Sequence, residues 1–238
     1  MIYLQTSHPI AEQSKDRLIP GGSMMDSTSN PEFAVLARKL FVDKRPFSLL
    51  DLGCSDGSAV MDILQLKENH EEFKYHNIFA AGLEGSDYPL IRRRGYWQKQ
   101  YVGKNLFLCD ISEPFDLFSV NVNEHCWKEV NYKFDVVTSW EVMEHIPEGQ
   151  LPTLCENVKK HLVPDGVWIM SISNQSGYHH ETIRPRDWWL KMFDKEGLVH
   201  SDEIFRYFDG NFVRGPWEPS SFNLCLRTKE MESGIYFK

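Results

Sequence analysis

Three acids in the first half of the chain each close a short apolar run. Asp51 lies at the end of Phe47–Leu52, Glu84 follows Ile78–Leu83, and Asp110 follows Leu106–Cys109. A fourth run, Phe134–Ser139, leads into Trp140, Glu141, Glu144 and His145. Apolar strands that end in polar groups are how an open parallel sheet meets a ligand, at the carboxyl edge of its strands. An acid after the second such strand can accept from two ribose hydroxyls. An acid after the third can accept from the exocyclic amine of adenine, with apolar Ile111 beside the ring. After Asp51 comes a glycine-rich turn, Leu52-Gly53-Cys54-Ser55-Asp56-Gly57-Ser58. Gly53 and Gly57 permit backbone angles and close approaches that a Cβ would block. Ser55 and Asp56 add side-chain oxygens, and the helix that follows offers its N-terminus to a nucleotide-like ligand. The spacing is not Gly-x-Gly-x-x-Gly and no Lys-Ser/Thr pair follows, which weakens the dinucleotide and P-loop readings. Singly, each acid could merely cap the next helix; in register, they read as one nucleoside site.

A second group lies after the fifth apolar run, in Ser173-Asn174-Gln175-Ser176-Gly177-Tyr178-His179-His180-Glu181-Thr182-Ile183-Arg184-Pro185-Arg186-Asp187-Trp188-Trp189. Aromatic faces mixed with His, Arg and acids suit a sugar or another polyol. His179 and His180, with His145 next, are candidates to take a proton from a hydroxyl, and Asp187 is a candidate to orient the base. A His/acid cluster of this kind could also hold Mg²⁺ and polarise the hydroxyl, but the ligand spacing is not diagnostic and no metal is expected.

The elements that must position these groups alternate. Residues 1–30 are polar and rich in Ser, Pro and Gly, with a turn signal at Pro20-Gly21-Gly22-Ser23, and read as an irregular arm or lid. Residues 31–238 read as one domain. Pro31 opens a helix to about Phe41; helices are also expected at Ser58–Glu68, Leu90–Gln100, Leu151–Leu162 and Arg184–Glu196. Strands are expected at the runs named, at Val167–Ser173, and at two late runs, Val199–Tyr207 and Ser221–Thr228. Strands alternating with helices imply a parallel sheet, and the last two, with no helix expected between them, an antiparallel hairpin at one edge.

The bulk numbers agree with a soluble α/β protein. The 238 residues are 42% hydrophobic and 25% charged, enough for one sizeable domain. No run approaches the roughly 20 apolar residues of a membrane span, and the N-terminus lacks the basic flank and apolar stretch of a signal peptide. The five cysteines form no Cys-x-x-Cys pair, which argues against structural zinc and for a reducing, cytoplasmic compartment. The net charge of −8 argues against nucleic acid as partner. Arg92-Arg93-Arg94 reads as a solvated face.

With these motifs in view, the chain resembles the class I S-adenosylmethionine-dependent methyltransferases. Leu50 to Gly57 resembles the family's glycine-rich first motif, with Ser55 where Gly is usual. Gly82-Leu83-Glu84-Gly85-Ser86 resembles the ribose-binding motif and Cys109-Asp110-Ile111 the adenine-side motif. Phe134 to Ile146 resembles the Glu-x-x-Glu-His motif, and Leu162 to Val167 the turn before strand five. The resemblance spans residues 31–228. It implies a Rossmann-like, doubly wound sheet of seven mostly parallel strands with an antiparallel last strand. It also implies binding of S-adenosyl-L-methionine, with S-adenosyl-L-homocysteine as product, by Asp51, Gly53, Ser55, Asp56, Gly57, Glu84, Gly85, Asp110, Ile111, Trp140 and Glu141.

The His-x-x-x-x-Pro-x-x-Trp-Trp stretch from His180 to Trp189 resembles methyltransferases tied to surface-polysaccharide synthesis. That resemblance implies O-methylation of a sugar hydroxyl, on a glycan or sugar nucleotide, by a chain fused to or working beside a glycosyltransferase. Methylation of a small aromatic or quinone-like metabolite remains the alternative, because the Glu-x-x-Glu-His motif occurs there too.

Overall fold

Phe47–Leu52 and Phe134–Trp140 are buried at every position, as strands covered by helices on both faces must be. They form the centre of the fold in the computed structural model, which describes residues 2–11, 27–41, 46–123, 126–215 and 219–229. The elements run β1 (Ile2–Thr6), α1 (Pro31–Leu40), β2 (Phe47–Leu52), α2 (Ser58–Leu64), α3 (Leu66–Asn69), β3 (Ile78–Glu84), α4 (Tyr88–Ile91) and β4 (Leu106–Leu108). They continue as β5 (Phe115–Asn123), β6 (Cys126–Asn131), β7 (Phe134–Trp140), α5 (Leu151–His161), β8 (Leu162–Ser173), α6 (Arg186–Lys195), β9 (Leu198–His200), α7 (Asp202–Phe208) and β10 (Ser221–Thr228).

The main sheet has seven strands in the order β4-β3-β2-β7-β8-β10-β9. The first five are mutually parallel, and β10 runs antiparallel to both β8 and β9. Successive side chains point to opposite faces of a strand, which divides the core in two. Leu50, Leu52, Val137 and Trp168 pack with α5 and α6 through Leu154, Val158, Trp189 and Phe193. Leu49, Val136 and Ile169 pack with α1, α2 and α7 through Phe33, Val60, Ile63, Ile204 and Phe208. Asn30 caps α1 by accepting from the Phe33 N–H at 3.1 Å, with Pro31 opening the helix. The expected doubly wound sheet is therefore present. Among the described residues no helix is long and apolar enough to cross a membrane.

The expectations differ from the structure in five places. Residues 2–6 of the arm are not irregular: β1 pairs antiparallel with β5, and β5 with β6, in a second sheet. This β5–β6 hairpin was not expected, although Phe115-Asp116-Leu117-Phe118 begins a strand-like run. The turn signal at residues 20–23 lies outside the described residues. The helix expected at 58–68 divides at Gln65 into α2 and α3. The helix expected at 90–100 stops at Ile91, because Arg93 and Gly95 take left-handed angles (φ +50° and +49°). The strand expected at 199–207 is β9 followed by α7. Ser201 caps that helix on the Ile204 N–H, with Asp202 and Glu203 in the first turn, the arrangement that favours a helix start. A helix thus separates β9 from β10, so they are not a simple hairpin, but the two pair antiparallel at one edge of the sheet as expected, with β9 outermost. Cys54, Cys109, Cys155 and Cys225 are buried free thiols, packed as small core residues.

Candidate active site

The turn after β2 is a chain of left-handed residues: Gly53 (φ +71°), Ser55 (φ +47°) and Gly57 (φ +84°). At Gly53 a Cβ would meet Val142 Cγ2 at 2.5 Å, so that position excludes any side chain. Ser55 adopts positive φ without being glycine, which is uncommon, and its neighbours hold it there. Its N–H donates to Glu84 Oε2 at 2.8 Å, and its carbonyl accepts from Trp97 Nε1 at 2.6 Å. The Tyr96 N–H donates to the Asp56 carbonyl at 2.9 Å. These bonds to the turn explain why residues 92–97 leave the helix. Asp56, just before the Gly57 N-cap of α2, accepts from the Ser58 N–H at 3.0 Å.

Asp51 is fully buried beneath this turn. One oxygen accepts from Thr138 Oγ1 at 2.7 Å, and the other has no hydrogen-bond partner among the described residues. Burial pushes its carboxyl up to about 7; the Thr138 bond opposes this, while Glu84 and Asp56 add to it. An unfilled acceptor at zero exposure calls for a donor, and the ammonium of an amino-acid ligand, directly or through water, is one. Glu84 is buried with its two oxygens on the N–H groups of Ser55 and Ser86, and burial raises its carboxyl. A carboxylate accepts about four hydrogen bonds, so capacity for ribose hydroxyls remains. Asp110 holds Ser112 by its N–H and hydroxyl at 3.0 and 2.6 Å, with buried Ile111 beside it. The Asp110 N–H donates to the His8 carbonyl, and Gly85 accepts from the Ala11 N–H. The N-terminal segment thus lies across the ends of β3 and β4. Trp140 is buried with its ring edge-on to Phe33. Glu141 (φ +55°) donates from its N–H to Ser171. Asp51, Glu84, Asp110 and Glu141 therefore share one sheet edge, and the site fits S-adenosylmethionine by its unfilled acceptor and by the glycines at 53 and 57 of its turn.

The acceptor end is built from two segments. The Glu181 and Thr182 N–H groups donate to the Glu144 carbonyl, and Thr182 Oγ1 to the Ile146 carbonyl at 2.7 Å, which fastens the loop after β8 to the turn after β7. His145 and His180 then meet edge to face, with ring centroids 4.8 Å apart. His145 Nδ1 donates to the His179 carbonyl at 2.9 Å and His180 Nδ1 to the Gln175 carbonyl at 2.6 Å. A carbonyl only accepts, so the tautomer in each ring carries its lone pair on Nε2. His179 is left-handed (φ +58°), which aims that carbonyl, and its ring lies against Tyr178. Glu144 is wholly buried; Oε1 accepts from the Ser173 N–H at 3.2 Å and Oε2 has no hydrogen-bond partner among the described residues. Burial, with Glu141 nearby, pushes its carboxyl up to about 8. Asp187 is exposed in the first turn of α6, and no hydrogen bond joins it to a histidine among the described residues. Glu144 follows from the Glu-x-x-Glu-His spacing, whereas Thr138 and Trp97 join the site with no signal in the sequence.

A seven-stranded sheet with one antiparallel strand near its edge, and acids at the ends of adjacent strands, defines the class I methyltransferase fold. Residues 32–212 match the family described as Methyltransferase domain, and the chain belongs to that family. It is an S-adenosylmethionine-dependent methyltransferase. Among solved structures it is similar to an S-adenosylmethionine-dependent methyltransferase from Clostridium acetobutylicum ATCC 824, with TM-score 0.54 and 14% identity, over 85% of this chain and 92% of that one. It is also similar to LepI in complex with SAM, with TM-score 0.52 and 8% identity, over 82% of this chain and 46% of that one. A third, described as a pericyclic reaction enzyme, has TM-score 0.51 and 9% identity, over 81% of this chain and 46% of that one. Such likenesses show the fold and leave the reaction to the site. No curated protein matches the sequence.

Proposed function

We propose that the chain methylates a hydroxyl oxygen of a sugar, carried on a glycan or a sugar nucleotide. Bound in the cradle, S-adenosylmethionine supplies a methyl group on a positively charged sulfur. The cradle residues Asp51, Gly53, Ser55, Asp56, Gly57, Glu84, Gly85, Asp110, Ile111, Trp140 and Glu141 are proposed to hold it. What the chain must then add is a place for the acceptor and a means of taking its proton. The observation that carries this reading is the convergence of His145 and His180 beside Glu144, where each imidazole has its lone pair on Nε2. Basic nitrogens at the acceptor end suit a hydroxyl, whose proton must leave. His179 and His180 are the proposed bases, with His145 next. Exposed Tyr178 and half-buried Trp188, with Arg184 set over the Trp188 ring and bonded to Glu148 at 2.7 Å, supply flat faces and charge of the kind that grips a polyol.

The test is transfer of a radiolabelled methyl group from S-adenosylmethionine. Rhamnose-type and other glycans and sugar nucleotides form one arm, free phenols and quinols the other. Label in the glycan or sugar-nucleotide arm supports the reading. Label in the phenol arm alone overturns it in favour of a small aromatic acceptor.

A further inference from the structure

From the three side chains that converge at the acceptor end, we infer that Glu144, His145 and His180 bind a divalent transition-metal ion. One ligand atom from each lies within 4.8 Å of the others. Ligands about 2.1 Å from a common metal stand roughly 3–4 Å apart, so a small rotation of the side chains closes the set. The surroundings are those of a built site. Metal-ligating histidines donate their second ring N–H to a carbonyl or carboxylate, which fixes the tautomer and aims the ring. His145 and His180 both do this, to the carbonyls of His179 and Gln175. Glu144 is the carboxylate: wholly buried, one oxygen fixed by the Ser173 N–H and the other without a hydrogen-bond partner among the described residues. Gly177 lies against His180, where a Cβ would fall 2.6 Å from Cε1 and Nε2, so the position that admits the ring admits no side chain.

Two imidazole nitrogens and one carboxylate oxygen favour Mn²⁺, Fe²⁺, Co²⁺ or Zn²⁺. Mg²⁺ prefers an all-oxygen shell and fits these residues less well. Three protein ligands leave positions open for the oxygens of a bound hydroxyl or vicinal diol. The cation's place beside the acceptor rests on the methyl-transfer reading; its binding does not. With His145 and His180 as ligands, His179 is the remaining histidine of the group to take the proton.

The test titrates chelator-treated protein with Co²⁺, following visible absorption and heat. Saturable binding of a single Co²⁺ per chain is expected. Glu144→Gln and His180→Ala each weaken it at least about tenfold. Gly177→Ala, with all three ligands present, weakens it too. His70→Ala, away from the site, leaves it unchanged. Each variant is first checked for the rise in Tm that S-adenosylmethionine gives to a folded binder, which separates a misfolded variant from one that has lost the cation. Absence of saturable binding to the unaltered chain overturns the site, as does undiminished affinity in both E144Q and H180A. Co²⁺ binding without an S-adenosylmethionine shift upholds the site and overturns the methyl-transfer reading.

Discussion

Thr138 holds one oxygen of the buried Asp51 carboxylate at 2.7 Å, while the other faces no donor among the described residues. A ligand that brings an ammonium group completes the pair. Asp51→Asn is expected to weaken S-adenosylmethionine binding at least about tenfold, or roughly 1.4 kcal/mol. Calorimetry reads this directly. Unchanged affinity would remove Asp51 from the site.

The same carboxyl makes stability depend on pH. Its folded value of about 7 lies above its ordinary 3.8, so between these the folded chain binds more protons than the unfolded one. Stability therefore falls as pH rises through that window, and Glu84 and Asp62, also raised by burial, act in the same direction. His161 and His200, lowered by burial, act oppositely and lose stability as pH falls below 6.5. The difference between the unaltered chain and D51N isolates the Asp51 share. From about pH 5 to about pH 8 the variant should gain roughly 1–3 kcal/mol relative to the parent in urea unfolding. Parallel profiles would refute it. S-adenosylmethionine should bind the parent more tightly over the same rise, since its ammonium favours the ionised acid.

Ser55 and Gly53 respond oppositely to small changes. Ser55→Gly removes a left-handed serine and a buried hydroxyl without a hydrogen-bond partner among the described residues, and is expected to stabilise by about 0.5–1 kcal/mol. Gly53→Ala drives a methyl against Val142 at positive φ and is expected to cost about 1–3 kcal/mol and to impair cofactor binding. Thermal unfolding ranks the two.

Trp97 supports the cradle from behind. Trp97→Phe leaves the Ser55 carbonyl without its indole donor, at an expected cost of about 1–3 kcal/mol. A turn loosened in this way should also hold S-adenosylmethionine less tightly. Lower stability with intact affinity would limit the indole to a packing role.

Replacing the histidines should leave the donor site alone. His179→Ala and His180→Ala are expected to lower turnover about 10²–10⁴-fold, while the S-adenosylmethionine-induced rise in Tm persists. Full turnover in His145→Ala, His179→Ala and His180→Ala alike would end the proposal of a histidine base.

The strands beneath the cradle were legible because β2, β3 and β7 are apolar runs that end at acids, and buried parallel strands read that way. Residues 92–100 were not. Their apolar spacing is helical, but the bonds from Tyr96 and Trp97 to the glycine-rich turn are tertiary and leave no local mark. At α7 the apolar Ile204, Phe205 and Tyr207 suggested a strand, while Ser201 and the acids after it carried the helix signal. At the site, the strand-end acids followed from position alone. The approach of His145 to His180 did not: it depends on a left-handed His179 and on three hydrogen bonds that fasten one loop to another.

The crossing of β3 and β4 by the N-terminal segment has a consequence for biogenesis. Ile2 pairs opposite Ser119 and Thr6 opposite Phe115, so this strand, once made, must wait for partners that emerge on the order of ten seconds later. Such distant pairings form slowly, because the loop's entropy is lost before any contact compensates. His8 and Ala11, which tie down Asp110 and Gly85, are carried along with that strand. The nucleoside end of the cradle is therefore closed late, by a segment made well before the strand it pairs with.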